Sequence, residues 1–440
     1  MALAAASQRT RLEISLPRRK SNKLEETLAN VTTSRYNTAR AKRGRLNSQS
    51  AMKVGFSLTR RMTIYSVGLL LIGLWITGRP ALIEHVRPNS HDVGLVGGPM
   101  VQLGNTDGKT ALAIVWRTAG PATSRVDYGP TANLGATVTD PRLKNYHALV
   151  LQPLQPATRY HYRIISTHRV LAEATFQTGK TADQAFRFAV FGDSGSGKTR
   201  QYEVAREIER HEVDLLLHTG DVVYFKGEDE FYQEKFYLPY KKLLERVPIF
   251  PVLGNHDYET TSGQPWIDNF FLPGEERFYS FDYGNAHFVA LDTSRVNAAS
   301  AAWLERDLRN TNKLWKFVLF HEPPFSNRRG RMGSPGARNL WVPLFVKFKV
   351  DLVFSGHDHM YTRFKPRQGV NYIVEGLGGY SIEESKEDAG HVAFTDNREF
   401  GFGLVDVAGP ELIFRHITAT AKVLDTLRLR KQPQRASPAG

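Results

Sequence analysis

The stretch Phe186-Arg187-Phe188-Ala189-Val190-Phe191-Gly192-Asp193 is a short, nearly unbroken apolar run that ends on a glycine and an aspartate. A run of this length closed by a turn signal reads as a strand buried on both faces. The unit recurs downstream: DLLLHT (214–219) leads into Gly220-Asp221-Val222-Val223-Tyr224, and PIFPVL (248–253) into Gly254-Asn255-His256-Asp257. WKFVLF (315–320) then leads into His321, and DLVFS (351–355) into Gly356-His357-Asp358-His359. Amphipathic stretches at Arg200 to Val213, Phe231 to Arg246 and Asn339 to Lys349 separate these runs. Strand alternating with helix predicts an α/β domain over residues 185–425, with its sheet covered on both faces.

Ligand sites in such sheets lie beyond the carboxyl ends of the strands. Five successive strands are therefore expected to bring an Asp, Asn or His to the same edge of one sheet. Four of the five have glycine just before the polar residue, which permits a tight turn and close backbone approach. Any one of these residues alone would pass as a polar loop residue. Gathering two aspartates and three histidines on one low-dielectric rim costs several kcal/mol, roughly, unless a cation offsets it. The chain has no cysteine, so it forms no disulfide and no thiolate site. Oxygen and imidazole donors without sulfur suit iron, manganese or zinc.

Upstream, residues 100–180 change rhythm to short alternating strands (ALAIVWRT, SRVDYGP, HALVLQPL, RYHYRIIS, AEATFQTG) punctuated by Gly, Pro, Asn and Asp. Strands without helices predict an antiparallel all-β sandwich. Trp116 is its expected core tryptophan. Tyr160, after the turn-forming Leu154-Gln155-Pro156-Ala157-Thr158, is expected to tie its hydroxyl to upstream backbone as a tyrosine corner.

The net charge of +14 over 440 residues suggests a nucleic-acid binder until it is divided along the chain. Residues 1–61 carry 14 Lys/Arg against three acids, leaving only +3 for the remaining 379. This segment reads as a basic disordered tail, and no nucleic-acid partner is expected. Met62 to Gly78 (MTIYSVGLLLIGLWITG) are 17 uncharged residues, at the short end of a bilayer-spanning helix. Basic residues on its N-terminal side predict a signal-anchor that leaves the tail cytoplasmic and everything after Arg79 extracytoplasmic, either periplasmic or at the cell surface. The alternative is a cleaved signal peptide starting from Met52, which would make the protein secreted. Residues 79–99 read as a linker and 426–440 as a basic, solvated tail.

The ordered series GDSG, GDVVY, GNHD, FHEPP and GHDH resembles the metallophosphoesterase superfamily, specifically its purple acid phosphatase-like branch. The key residues Asp193, Asp221, Asn255, His321 and His357 are separated by 28, 34, 66 and 36 positions. The resemblance covers about residues 95 to 425. It implies a four-layer α/β metallophosphoesterase sandwich preceded by a fibronectin type III-like domain at 100–180. It also implies two metal ions bridged by Asp221, one held by Asp193, Tyr224 and His359, the other by Asn255, His321 and His357. A phenolate from Tyr224 favours ferric iron, with Fe2+, Zn2+ or Mn2+ as its partner. Such a pair neutralises phosphate oxygens, acidifies water and aligns it with the leaving group. His256 would contact the substrate and protonate the leaving oxygen, with Asp257 able to orient its ring. The implied activity is hydrolysis of phosphate esters, as an acid phosphatase-like monoesterase or a phosphodiesterase.

Two other functions compete. Gly192 to Thr199 (GDSGSGKT) matches the phosphate-cradling P-loop pattern between strand and helix, as in an NTPase. A membrane-tethered binding module with an inactive phosphatase domain predicts a broken donor set, yet all seven positions are filled. Arg328 and Arg329 stand after His321 in place of a further histidine and are read either as gripping substrate or as solvated. His218 and His287 read as core histidines with satisfied hydrogen bonds. His391 lies in a polar loop that could line the site. Oligomeric state is not legible.

Overall fold

The computed structural model describes residues 93–386 and 390–432. The basic tail at 1–61 and the expected anchor at 62–78 lie outside these residues. Among those described, no helix is long and apolar enough to cross a membrane.

The first domain is all β. Strands β1 (Leu95–Gln102), β2 (Leu112–Gly129), β3 (Ala136–Leu151), β4 (Arg159–Ser166) and β5 (Arg169–Gln177) form one antiparallel hydrogen-bonded sheet. β1 begins inside the stretch read as a linker, because its backbone pairs with β2 from Leu95 onward. β2 pairs with β3 along nearly its whole length, and on its other side with β1 and then with β4. Side chains alternate across a strand, and β2 uses both faces. Leu112, Ile114 and Trp116 enter the domain's own core, whereas Ala113 and Val115 enter the core of the following domain. Trp116 is buried, as expected, and donates from Nε1 to Ser166 Oγ at 3.3 Å. The Tyr160 hydroxyl accepts from Gln155 N at 3.0 Å, which is the expected corner.

The second domain begins with β6 (Phe186–Phe191), β7 (Leu215–His218) and β8 (Ile249–Pro251), which are mutually parallel. The next strands build a second sheet: β9 (Tyr279–Tyr283), β10 (Ala286–Ala290), β11 (Trp315–Leu319), β12 (Leu352–Ser355), β13 (Tyr361–Phe364), β14 (Asn371–Glu375) and β15 (Val392–Asp396). The chain then returns with β16 (Gly401–Ala408), β17 (Glu411–Thr418) and β18 (Val423–Arg430) to complete the first sheet, β16 lying against β6. The expectation of one sheet is therefore corrected to two. Apolar runs alone do not say which strands pair, and the two sheets share a face lined by Phe188, Phe288, Phe317 and Phe354. Phe188 meets Phe288 edge-on at 5.4 Å. On the opposite side of the second sheet, Val289, Val318 and Val353 pack with Leu304 and Leu308 of helix Ala298–Asn310. Helices thus cover the outer faces of two stacked sheets, an α/β sandwich of four layers.

Two boundaries differ from expectation. The helix expected at Phe231 to Arg246 is a 3-10 turn, a π turn (Gln233–Tyr237) and then helix Leu238–Leu244. Pro239 has no N–H for the carbonyl of Lys235, and Gln201 Nε2 donates to that carbonyl instead, at 2.6 Å. The basic stretch read as a solvated tail starts within β18, which pairs with β17 from Arg430 back to Val423. Its arginines alternate with Leu427 and Leu429, which pack on the core.

Candidate metal centre

The rim beyond the two sheets collects the expected side chains. Asp193 follows β6, Asp221 and Tyr224 follow β7, and Asn255 follows β8; His321 follows β11, and His357 and His359 follow β12. The two sheets present their carboxyl ends to one rim, so donors from separate sheets meet. Glycine allows the approach: a Cβ on Gly254 would lie 2.1 Å from Asp221 Oδ1, and one on Gly356 would lie 2.4 Å from Asp193 Oδ2.

The donors fall into two clusters joined by Asp221. In the first, Tyr224 Oη lies 2.8 Å from Asp221 Oδ2, 3.2 Å from Asp193 Oδ1 and 3.1 Å from His359 Nε2. Asp193, Asp221 and His359 also place one ligand atom each within 4.8 Å of one another. In the second, His321 Nε2 lies 3.4 Å from Asp221 Oδ1, 3.1 Å from Asn255 Oδ1 and 3.2 Å from His357 Nδ1. One carboxylate thus turns a different oxygen toward each cluster. Asp193, Asp221, Tyr224 and His321 are buried almost completely.

Further hydrogen bonds set the orientation of the donors. His321 Nδ1 donates to the Thr219 carbonyl at 2.8 Å, which fixes the ring with Nε2 turned toward the cluster. His359 Nδ1 pairs with Ser381 Oγ at 2.5 Å. Both oxygens of Asp193 accept the His357 N–H, at 3.1 and 2.9 Å. Burial would depress the His321 pKa, but Asp221 and Asp193 overcome it and push it up to about 10. Burial and the nearby His321 hold His357 down, to about 2. The carboxylates draw positive charge toward His321 in a fully buried site, while the His357 ring stays neutral. Oxygen and imidazole donors in this arrangement fit divalent or trivalent cations of the iron, manganese and zinc type.

The chain carries a matching domain: the model of the calcineurin-like phosphoesterase family fits residues 186–361. Residues 186–361 form a calcineurin-like phosphoesterase domain. Acid phosphatases are among its relatives. Mouse acid phosphatase type 7 is 26% identical over 325 residues, covering 64% of this chain and 72% of its own. Purple acid phosphatase 21 of Arabidopsis thaliana is 28% identical over 263 residues, covering 53% of this chain and 58% of its own. A purple acid phosphatase from yellow lupin seeds shares the fold, with a TM-score of 0.68 at 21% identity over 76% of this chain and 74% of that one. The phosphoesterase domain makes the chain a phosphoesterase hydrolase.

His256 lies beside this phosphoesterase centre. Its backbone N–H donates to Asp221 Oδ1 at 3.0 Å, and its ring tilts against Tyr224 with centroids 4.7 Å apart. The expected orienting role of Asp257 is corrected. Asp257 accepts the N–H groups of Val222, Val223 and Gly254 at 2.9 to 3.1 Å and does not touch the His256 ring. The two are adjacent on helix Asn255–Glu259, and neighbours on a helix do not face each other. His256 Nδ1 instead meets the Phe225 carbonyl at 2.5 Å, with Glu259 3.6 Å away.

The P-loop alternative does not survive. The amides of Ser196 and Gly197, which would cradle a phosphate, both donate to Gln201 Oε1, at 3.1 and 2.8 Å, and Lys198 is exposed at the helix start. Arg328 pairs with Glu383 and Arg329 with Glu384, so the substrate-gripping alternative finds both guanidinium groups engaged. His218 is buried and bonded to Ser194 and to the Gly220 amide. His391 stacks on Phe364. Sequence reading passed over Ser381, which engages His359, and Tyr380, whose ring lies flat on Tyr224 at 3.6 Å. The only signal for this loop was the Gly378-Gly379 pair after β14.

Proposed function

We propose that this chain hydrolyses phosphate esters at a dinuclear metal centre bridged by Asp221, with Asp193, Tyr224 and His359 holding one ion and Asn255, His321 and His357 the other. The observation that supports this most is the division of the Asp221 oxygens, Oδ2 toward Tyr224 and Oδ1 toward His321. When bound, two cations there would neutralise the phosphoryl oxygens and acidify the attacking water. Tyr224 suits ferric iron, with Fe2+, Zn2+ or Mn2+ in the second position.

The chain's own residues do the rest. Thr219 and Ser381 lock two of the three imidazoles that would face the ions, those of His321 and His359, and the Val222, Val223 and Gly254 amides on Asp257 hold the loop that carries the proposed bridging carboxylate. His256, with Nδ1 engaged by the Phe225 carbonyl, has Nε2 to protonate the leaving oxygen. The expected substrates are phosphate monoesters, with diesters as the second class. The expected setting is extracytoplasmic, tethered through residues 62–78, a reading supported by the apolar run and its basic flank.

Asp221→Asn keeps the size of the side chain and removes the bridging charge. It should lower kcat/KM for a simple monoester by at least about 100-fold, of the order seen when one electrostatic stabiliser is removed. Wild-type hydrolysis by a folded Asp221→Asn protein would refute the mechanism.

A further inference from the structure

His218 closes β7 and is fully buried. Its Nδ1 accepts the Gly220 N–H at 3.2 Å. Burial pushes its pKa down to about 3, so the ring is neutral and carries a single N–H. With Nδ1 accepting, that hydrogen is on Nε2, which donates to Ser194 Oγ at 2.9 Å. A serine beside a histidine suggests a nucleophile and its base. The tautomer excludes that pairing here, because a nitrogen that already holds a proton cannot take one from Ser194, which is itself buried.

The two bonds have a different consequence. Ser194 directly follows Asp193 and Gly220 directly precedes Asp221, so one imidazole spans the loops that carry both aspartates. Phe191 of β6 pairs with His218 of β7, and its ring meets the imidazole edge-on at 4.9 Å. The Asp193 N–H on the Gly220 carbonyl, at 3.0 Å, joins the same two loops through backbone. Asp257 holds the Asp221 loop independently through three amides. What the imidazole adds is therefore the placement of Asp193 against Asp221. The Tyr224 cluster contains both aspartates, whereas the His321 cluster takes an oxygen from Asp221 alone.

We propose that His218 is a positioning residue: through Ser194 and Gly220 it sets the spacing of Asp193 and Asp221, and with it the affinity of the ion beside Tyr224, leaving the ion beside His321 unaffected. The proposal rests on the dinuclear reading above.

Graded chelation of the iron-loaded full chain separates the two ions. The visible absorption of the Tyr224 phenolate on ferric iron follows the ion beside it, and the total iron retained follows both. In Ser194→Ala and in His218→Phe that absorption should disappear at a chelator concentration about 10- to 100-fold lower than in the wild type, with the second ion released as in the wild type. Ser194→Ala keeps the imidazole in the core, so the same loss in both variants belongs to the link and not to a packing defect. Parallel weakening of both ions in Ser194→Ala, or wild-type retention of the ion beside Tyr224, overturns the positioning role while leaving the dinuclear reading in place. A wild-type chain that holds fewer than two ions would sink that reading and the positioning role with it.

Discussion

Asp193, Asp221 and His357 occupy left-handed backbone, with φ of 53°, 54° and 68°. Conformations of this kind cost of order 1 kcal/mol or more each and persist where surrounding structure over-determines them. Here the surrounding structure is the second ring of contacts. Asp257 collects three amides, and the His357 N–H is caught by Asp193. The glycines beside them remove the Cβ atoms that would collide with a neighbouring carboxylate. Gly254→Ala should therefore displace Asp221 and weaken metal binding about 10- to 100-fold, as changes just outside a ligand set do. Competition with a graded chelator measures it, and unaltered affinity would mean that the Asp221 carboxylate does not bridge. At this scale the donors were legible because each ends an apolar run. The task of Asp257 was not. Adjacency in sequence suggested a partner for His256, whereas a helix turns successive side chains about 100° apart and sends the carboxylate back into the loop amides.

Among the elements, strands were easier to read than helices, and pairing hardest of all. β6 coincides with its apolar run, which only the half-buried Arg187 interrupts. The helix at 231–246 widens into a π turn just before Pro239, which has no N–H for the Lys235 carbonyl, and the distant Gln201 donates to that carbonyl. The β9–β10 hairpin and helix Ala298–Asn310 are joined by a clamp in which His287 bonds Asp282 at 2.8 Å and Asp307 at 2.9 Å. Burial opposes its charge, but the two carboxylates prevail and raise the His287 pKa to about 9. The folded value lies above that of a free imidazole. The clamp's contribution is therefore complete below about pH 6.5 and is lost as pH rises through about 9. His287→Gln should be less stable than the wild type by roughly 1 to 3 kcal/mol near pH 6, with the gap closing by about pH 9.5. Denaturant melts across that range test it, and a gap that widened with pH would contradict the assignment.

Across the whole described molecule, the all-β domain packs closely on the phosphoesterase domain. Met100, Leu103, Ala113 and Val115 share a core with Tyr237, and Arg117 pairs with Asp229 and Asn269 at the boundary. Tyr162 Oη donates to the Glu245 carbonyl at 2.8 Å. The sequence announced two domains through a change of rhythm. It could not announce that both faces of β2 are buried, because a strand packed between two cores and one packed against solvent on a small-residue face read alike.

The meeting of both sheets at one rim is what would let Asp221 bridge two ions, and metal occupancy tests that proposal directly. An anomalous-difference map of the metal-loaded wild-type protein should show two peaks flanking the Asp221 carboxylate, one beside Tyr224 and one beside His321, with both lost in Asp221→Asn. A single peak, or two peaks that survive in that variant, would contradict it.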